Sequence, residues 1–478
     1  MKRYYSLFFL AFCLASLYGQ ESLQNKIENL LDRSGLHSSV IGVSAYHVQQ
    51  KKDLVHINEG SYFIPASSLK VITTFSLLDE LGKDFQFKTK IGYTGNIEKD
   101  GTLKGNIWII GSGDPSLGSP REEFGPSYDK IITSIAKKII SKGVNCVDGF
   151  IYVDKSVYKS SATPAGWTWS DVGNYYGAGA FGLNINENEY EVIFNRNAQV
   201  GALSSIAGTE PIIPGLTLRN EVIIEHAGSG DNAYIYGGEG FYDKIIKGSI
   251  PAGNGPFRIR GSIPDPPLFA AFLLHQKLST MGIPTQGYDV STFPSDQSFQ
   301  DLHTIKSRSL KSLIKKANEK SINLYCESFL LKMASSEGTR EKGIQLIRKK
   351  LSSMNIDTMD IIQVDGSGLN ARNVITPETF TSFLTHFYLK WKGDALELLP
   401  RASYEGTVSG LLRNKKSKGQ AWLKSGYIGR VLTYTGYIKT KSKGIIAISI
   451  MANNYMDKTS EIREISEKII DIIYTSVD

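Results

Sequence analysis

Cysteine and histidine are scarce in this chain of 478 residues: there are three cysteines, Cys13, Cys146 and Cys326, and seven histidines. Neither Cys-x-x-Cys nor His-Glu-x-x-His occurs, and the histidines show no metal-ligand spacing. That pattern excludes the usual zinc and dithiol centres, and no cofactor or metal is implied. Long apolar runs are also missing. Beyond the N-terminus nothing approaches the ~18 consecutive apolar residues of a membrane-spanning helix. Blocks of one charge are absent as well. The net charge is +7 but the basic residues are scattered, and short clusters such as Arg413-Asn414-Lys415-Lys416 read as solvated surface. Nucleic acid is therefore not expected as a partner. With 41% hydrophobic and 21% charged residues the chain is a folded globular one. Its length calls for two or three domains rather than one core.

The first residues carry an address. Met1-Lys2-Arg3 gives a positive start, residues 6–17 form an apolar run of signal-peptide length, and small residues follow at Ser16 and Gly19. Residues 1–19 are read as a signal peptide, and the mature protein as exported, periplasmic and without a transmembrane anchor. Cys146 and Cys326 then remain, and both a single disulfide and two free thiols stay open.

Residues 40–62 hold short alternating runs that suit strands. Pro65 introduces a helix whose apolar positions Val71, Phe75, Leu78 and Leu81 keep helical spacing up to Gly82. From 86 to 257 the texture changes to short strands with glycine-rich punctuation, as at Gly111-Ser112-Gly113-Asp114-Pro115. That segment lacks the Gly-Lys-Ser/Thr ending of a phosphate loop and reads as a tight turn. Helical periodicity returns over 266–281, 310–318, 324–335 and 377–388, strands over 434–438 and 444–451, and a last helix over 460–475. The mixed charges of that last helix fit docking on a sheet better than lying on a membrane.

Ser67-Ser68-Leu69-Lys70 opens the first of these helices. Residues three apart share a helical face, so a hydroxyl nucleophile stands within reach of an amine base without any histidine. Ser-x-x-Lys recurs at Ser156/Lys159 and Ser312/Lys315, so the tetrapeptide alone decides nothing. Ser321-Ile322-Asn323 and Lys424-Ser425-Gly426 follow it in order, completing the three-part pattern of serine acyl-transfer sites. Lys70 must be neutral to act as a base. Its reference pKa of about 10.4 then has to fall by roughly three pH units, about 4 kcal/mol, through burial or a neighbouring cation such as Lys424. Ser321 suits a hydroxyl relay to the leaving nitrogen, and Asn323 offers a donor and an acceptor. Gly426 permits close backbone approach on an edge strand, with the backbone N–H groups of Ser67 and Tyr427 as the oxyanion hole.

These residues, with Pro65-Ala66, the Gly111–Pro115 segment, Asp265-Pro266-Pro267, Val364-Asp365-Gly366-Ser367-Gly368-Leu369 and Glu405-Gly406-Thr407, resemble a known family. The chain is similar to the D-alanyl-D-alanine carboxypeptidase/endopeptidases, class C low-molecular-mass penicillin-binding proteins. The second motif lies 254 residues after the first (321 − 67), far more than in typical β-lactamases. The resemblance implies an α/β (α+β) fold: a transpeptidase-like, β-lactamase-like domain from 20–85 and 258–478, with two small β-rich domains inserted over 86–257. It implies cleavage of D-Ala-D-Ala bonds in peptidoglycan stem peptides, or of their cross-links, and acylation by β-lactam antibiotics. Ser67, Lys70, Ser321, Asn323 and Lys424 would be catalytic. The third motif reads Lys-Ser-Gly where Lys-Thr-Gly is usual, and Tyr427 stands where the family often has a substrate-binding hydroxyl. Ser425, Gly426, Tyr427 and Arg430 are the expected substrate contacts, Arg430 aiding Ser425 at the substrate carboxylate. Two rivals remain: a β-lactamase-like hydrolase, for which no dedicated deacylating base is evident, and a non-catalytic peptidoglycan-binding protein.

Overall fold

The computed structural model describes residues 22–36, 39–196, 199–334 and 337–477. The expected signal segment and Cys13 lie outside the described residues. Both ends of the described chain build one antiparallel sheet, in the order Ala421–Ile428, Val431–Lys439, Ile445–Asn453, Val40–His47, Lys52–Ile57. The strand Ile445–Asn453 is buried at all 9 of its positions, which fits a sequence that is apolar except at Ser449 and Asn453. Helices cover both faces. Thr459–Ser476 and Leu23–Asp32 enclose one apolar cluster with Ile448, Ile450 and Ile469. Pro377–Trp391 covers the other face, and behind it Lys70–Leu81 forms the axis of a second cluster. Phe75 on that axis is fully buried and stacks on Phe387 with ring centroids 4.0 Å apart.

The inserted unit holds a seven-stranded mixed sheet and two three-stranded sheets. It extends to Lys306, past the boundary expected at 257. Gln300–Lys306 pairs with Lys88–Tyr93, Thr285–Val290 pairs with Cys146–Asp154, and the helix Pro266–Thr280 packs Phe269, Leu274 and Leu278 into the insert's own core. The helical periodicity of 266–281 does mark burial against a sheet, but the sheet is the insert's. A single apolar cluster runs through all three sheets, from Ile109 through Val192 to Ile246, in place of two separate small cores. Asp265 caps that helix by accepting from the Leu268 N–H at 3.0 Å, with proline at its first positions, which accounts for the Asp-Pro-Pro motif.

The helices Leu23–Asp32 and Arg340–Ser353 and the short Gly393–Glu397 are additional to the sequence reading. Cys146 and Cys326 are both free thiols, the latter buried. Among the described residues no helix is long and apolar enough to cross a membrane. Phe75→Ala removes the ring that joins the Lys70 helix to Pro377–Trp391. It is expected to cost about 3–5 kcal/mol, read as a lower urea midpoint; an unchanged midpoint would show that the helix is held elsewhere.

Candidate active site

Ser67 lies in a single 3-10 turn, Ala66–Leu69, that runs directly into the helix Lys70–Leu81. Ala66 has φ 46°, the left-handed region that a residue with a Cβ adopts only under strain. The turn is pinned from outside. Gly368 packs against the Ala66 carbonyl so closely that a Cβ there would collide with it. Thr433 donates to the Pro65 carbonyl at 2.8 Å and pairs with Ser68 at 2.8 Å. Ser67 is left half-buried at the surface of a cleft while Lys70, one turn on, is fully buried.

The Lys70 ammonium donates to three oxygens from three segments: Ser67 Oγ at 2.8 Å, Asn323 Oδ1 at 2.6 Å and the Ser367 carbonyl at 2.7 Å. That set uses all three of its protons and includes no carboxylate. Burial pushes its pKa down, while the nearby charges of Asp365 and Glu327 pull it up. Lys424 is also fully buried and is pushed well below its ordinary range by burial and then by the Lys70 charge. Two ammonium groups in one dry pocket oppose each other, but for Lys70 itself burial is the main cause, where sequence reasoning weighed Lys424 beside it.

Lys424 stands on the sheet's edge strand and donates to Ser321 Oγ at 3.0 Å and to the Ser425 carbonyl at 2.6 Å. Ser321 ends the helix Leu310–Lys320 with φ 59°, and Asn323 begins the next helix, Asn323–Met333. The left-handed bend between the helices leaves Ser321 lining the cleft and Asn323 buried against Lys70. Gly426 has no room for a side chain. A Cβ there would stand 2.6 Å from the Pro65 carbonyl and 2.9 Å from the Ser67 amide nitrogen, so the edge strand lies directly on the Ser67 turn.

A cleft of about 350 Å³ is lined by Ser67, Ser321, Thr407, Ser425, Tyr427 and Arg463, among others. Thr407 and Ser425 share a hydrogen bond of 2.7 Å, which gives the Glu405-Gly406-Thr407 motif its place. Tyr427 is 61% exposed at the rim. Arg430 does not join these residues: it is exposed in the turn after the edge strand, and its guanidinium donates to Met456 Sδ at 3.0 Å. The cation that does line the cleft is Arg463, from the C-terminal helix, next to the Tyr434 hydroxyl, itself buried and pushed up to about 12. No local signal in the sequence marks Arg463, and Ser367, though inside a quoted motif, acts through its carbonyl, a role that residue types do not announce. Among the described residues no group of three His, Cys, Asp or Glu side chains is arranged to hold a metal ion.

A model of the D-Ala-D-Ala carboxypeptidase 3 (S13) family matches residues 23–474. The chain is 24% identical over 453 residues to a D-alanyl-D-alanine carboxypeptidase of Actinomadura sp. (strain R39), covering 91% of this chain and 81% of that one. The crystal structure of penicillin binding protein 4 (dacB) from Haemophilus influenzae superposes with a TM-score of 0.81 at 22% identity, over 94% of this chain and 99% of that one. The same protein complexed with a β-lactam superposes at 0.76 and 20% identity, with the same coverage of each chain. With a family match that spans both ends of the catalytic sheet and the insert between them, the chain belongs to the D-Ala-D-Ala carboxypeptidase 3 (S13) family and is a serine-type D-Ala-D-Ala peptidase.

Proposed function

We propose that Ser67 is the nucleophile of this peptidase and Lys70 its base, with Ser321 and Lys424 carrying the proton to the leaving amine. The observation that carries the reading is the Lys70 junction, which holds the buried amine 2.8 Å from Ser67 Oγ with no carboxylate among its hydrogen-bond partners. The neutral amine takes the Ser67 proton as Oγ attacks the carbonyl of the penultimate D-alanine. The backbone N–H groups of Ser67 and Tyr427 receive the developing oxyanion. The C–N bond then breaks, and the terminal amine leaves with a proton delivered by Ser321 from Lys424. Water attacks the resulting Ser67 ester and yields a proton to the Lys424 left neutral by the first half, while Lys70 returns its proton to the departing Ser67 Oγ, so both amines regain their starting states. Asn323 keeps Lys70 in register, and its Nδ2, which donates to the Tyr176 carbonyl at 2.7 Å, is the group a substrate amide would recruit.

The substrate's terminal carboxylate falls, in this reading, to Ser425 and Thr407 together with Arg463, whose guanidinium shares their cleft. Arg430, tied to Met456, is less well placed. An N-terminal export signal over 1–19 and a periplasmic site of action complete the proposal, because the substrate lies outside the cytoplasm. β-Lactams would acylate Ser67 as mimics of the D-Ala-D-Ala terminus. The absence of an evident deacylating base predicts a long-lived penicillin adduct rather than rapid turnover.

Incubation with purified muropeptides, read by mass spectrometry, should remove one alanine from pentapeptides or convert dimers to monomers. Ser67→Ala should abolish both, and no change with either protein would favour a non-catalytic binder. Lys70→Ala should slow penicillin acylation of Ser67 by about 10²–10⁴-fold. Arg463→Ala should lower kcat/KM for a D-Ala-D-Ala peptide by roughly 10–100-fold, the worth of one charged hydrogen bond, with little effect on its C-terminal amide. Arg430→Ala should leave both within about twofold; the reverse pattern would make Arg430 the carboxylate reader.

A further inference from the structure

Glu327 is fully buried one helical turn beyond Asn323, on the same face of Asn323–Met333. Its Oε1 accepts two successive backbone N–H groups, Gly366 at 2.9 Å and Ser367 at 2.8 Å. The carbonyl of that same Ser367 accepts from Lys70 Nζ at 2.7 Å, and the Gly366 carbonyl accepts from Thr73, on the Lys70 helix, at 2.8 Å. One helix therefore grips the amine twice, directly through Asn323 and indirectly through Glu327 and residue 367. We propose that Glu327 is a positioning residue of the acyl-transfer reaction, fixing through Ser367 where the Lys70 nitrogen stands and through its own charge whether that nitrogen keeps its proton.

The surroundings make this more than a loop anchor. A carboxylate whose only task was to cap two amides would be expected to have its second oxygen satisfied. Glu327 Oε2 has no hydrogen-bond partner; it meets Arg340 Nε, also without a hydrogen bond, only in a long ion pair of 3.7 Å. Arg340 spends other N–H groups on the Ser161 and Ala162 carbonyls of the insert. Asp365, by contrast, is fully engaged by Gly368 N, Asn370 N, Asn373 Nδ2 and Trp167 Nε1 at 2.8–2.9 Å. The charged or titratable groups around Glu327 and Lys70 are thus Asp365, Arg340, Cys326 and Lys424. Burial and the Asp365 charge push Glu327 up to about 7. The Arg340 charge works against that rise, and the charge the carboxyl carries acts on the buried Lys70 beside it. An ionised Glu327 favours the ammonium form of Lys70, so removing that charge should make the free amine available at lower pH.

The inference rests on Lys70 being the base, and the test separates the two. Acylation of Ser67 by a fluorescent penicillin is measured from pH 5 to 9 in wild type, Glu327→Gln, Glu327→Asp and Lys70→Ala. Glu327→Gln keeps an oxygen for the two amides and loses the charge. Its acidic limb is expected to move down by about half a pH unit or more, with penicillin affinity within about twofold because Glu327 does not line the cleft. Glu327→Asp keeps the charge but withdraws from the loop. The limb should stay in place while the maximal acylation rate falls by about tenfold or more. An unmoved limb in a folded Glu327→Gln protein, or a full maximal rate in Glu327→Asp, overturns the proposal. If Glu327→Gln does not fold, Glu327→Asp alone decides by the same criterion. Wild-type acylation by Lys70→Ala would instead overturn the assignment of the base.

Discussion

An amine buried without a carboxylate partner is the constraint on which this structure turns. Lys70 is held by a hydroxyl, an amide oxygen and a backbone carbonyl that come from positions 67, 323 and 367. None of the three neutralises its charge. Burial therefore lowers the proton affinity of the amine at the point where serine chemistry needs a base near neutral pH. The cost is met by packing elsewhere: the Lys70 helix is buried for most of its length, and the cluster around Phe75 and Phe387 holds it against the sheet.

That arrangement draws in parts of the chain far from the motifs. The strained Ala66 turn is closed on one side by Gly368 and on the other by the edge strand at Gly426, two places where any side chain would clash. The insert reaches the same junction from above. Trp167 donates to Asp365 at 2.9 Å, the Tyr176 carbonyl accepts from Asn323, and the carbonyls of Ser161 and Ala162 receive Arg340. The inserted unit thus braces the segments around Asn323, Arg340 and Asp365 physically. Changes in it are coupled to the site through these hydrogen bonds.

The legibility of the chain follows from how local each signal is. Ser67 and Lys70 are one helical turn apart, so their meeting is a property of the tetrapeptide's conformation. The Val364–Leu369 motif was recognisable as a resemblance, but its work is done by backbone groups: Gly368 by lacking a Cβ, Ser367 by its carbonyl, Gly366 and Ser367 by their N–H groups. No side-chain chemistry announces such roles. β-rich texture puts the insert's end at 257. The helix and two strands that follow belong to the insert by packing and pairing, which texture does not record. Arg430 drew attention by standing beside Lys-Ser-Gly in the chain, whereas the cation in the cleft comes from a helix more than thirty residues later.

From the sequence alone came the three motifs in order, the long interval between the first two, the apolar helix stripes and the fold class, because each rests on residue type and short-range periodicity. Tertiary structure decided the rest. It selected burial as the main cause of the depressed Lys70 and set the insert's true extent. It placed Arg463 rather than Arg430 at the cleft, and put Glu327 behind Ser367. The reason is common to all four: they depend on burial and on contacts between separate elements, many made through backbone atoms, which residue type and short-range periodicity do not record.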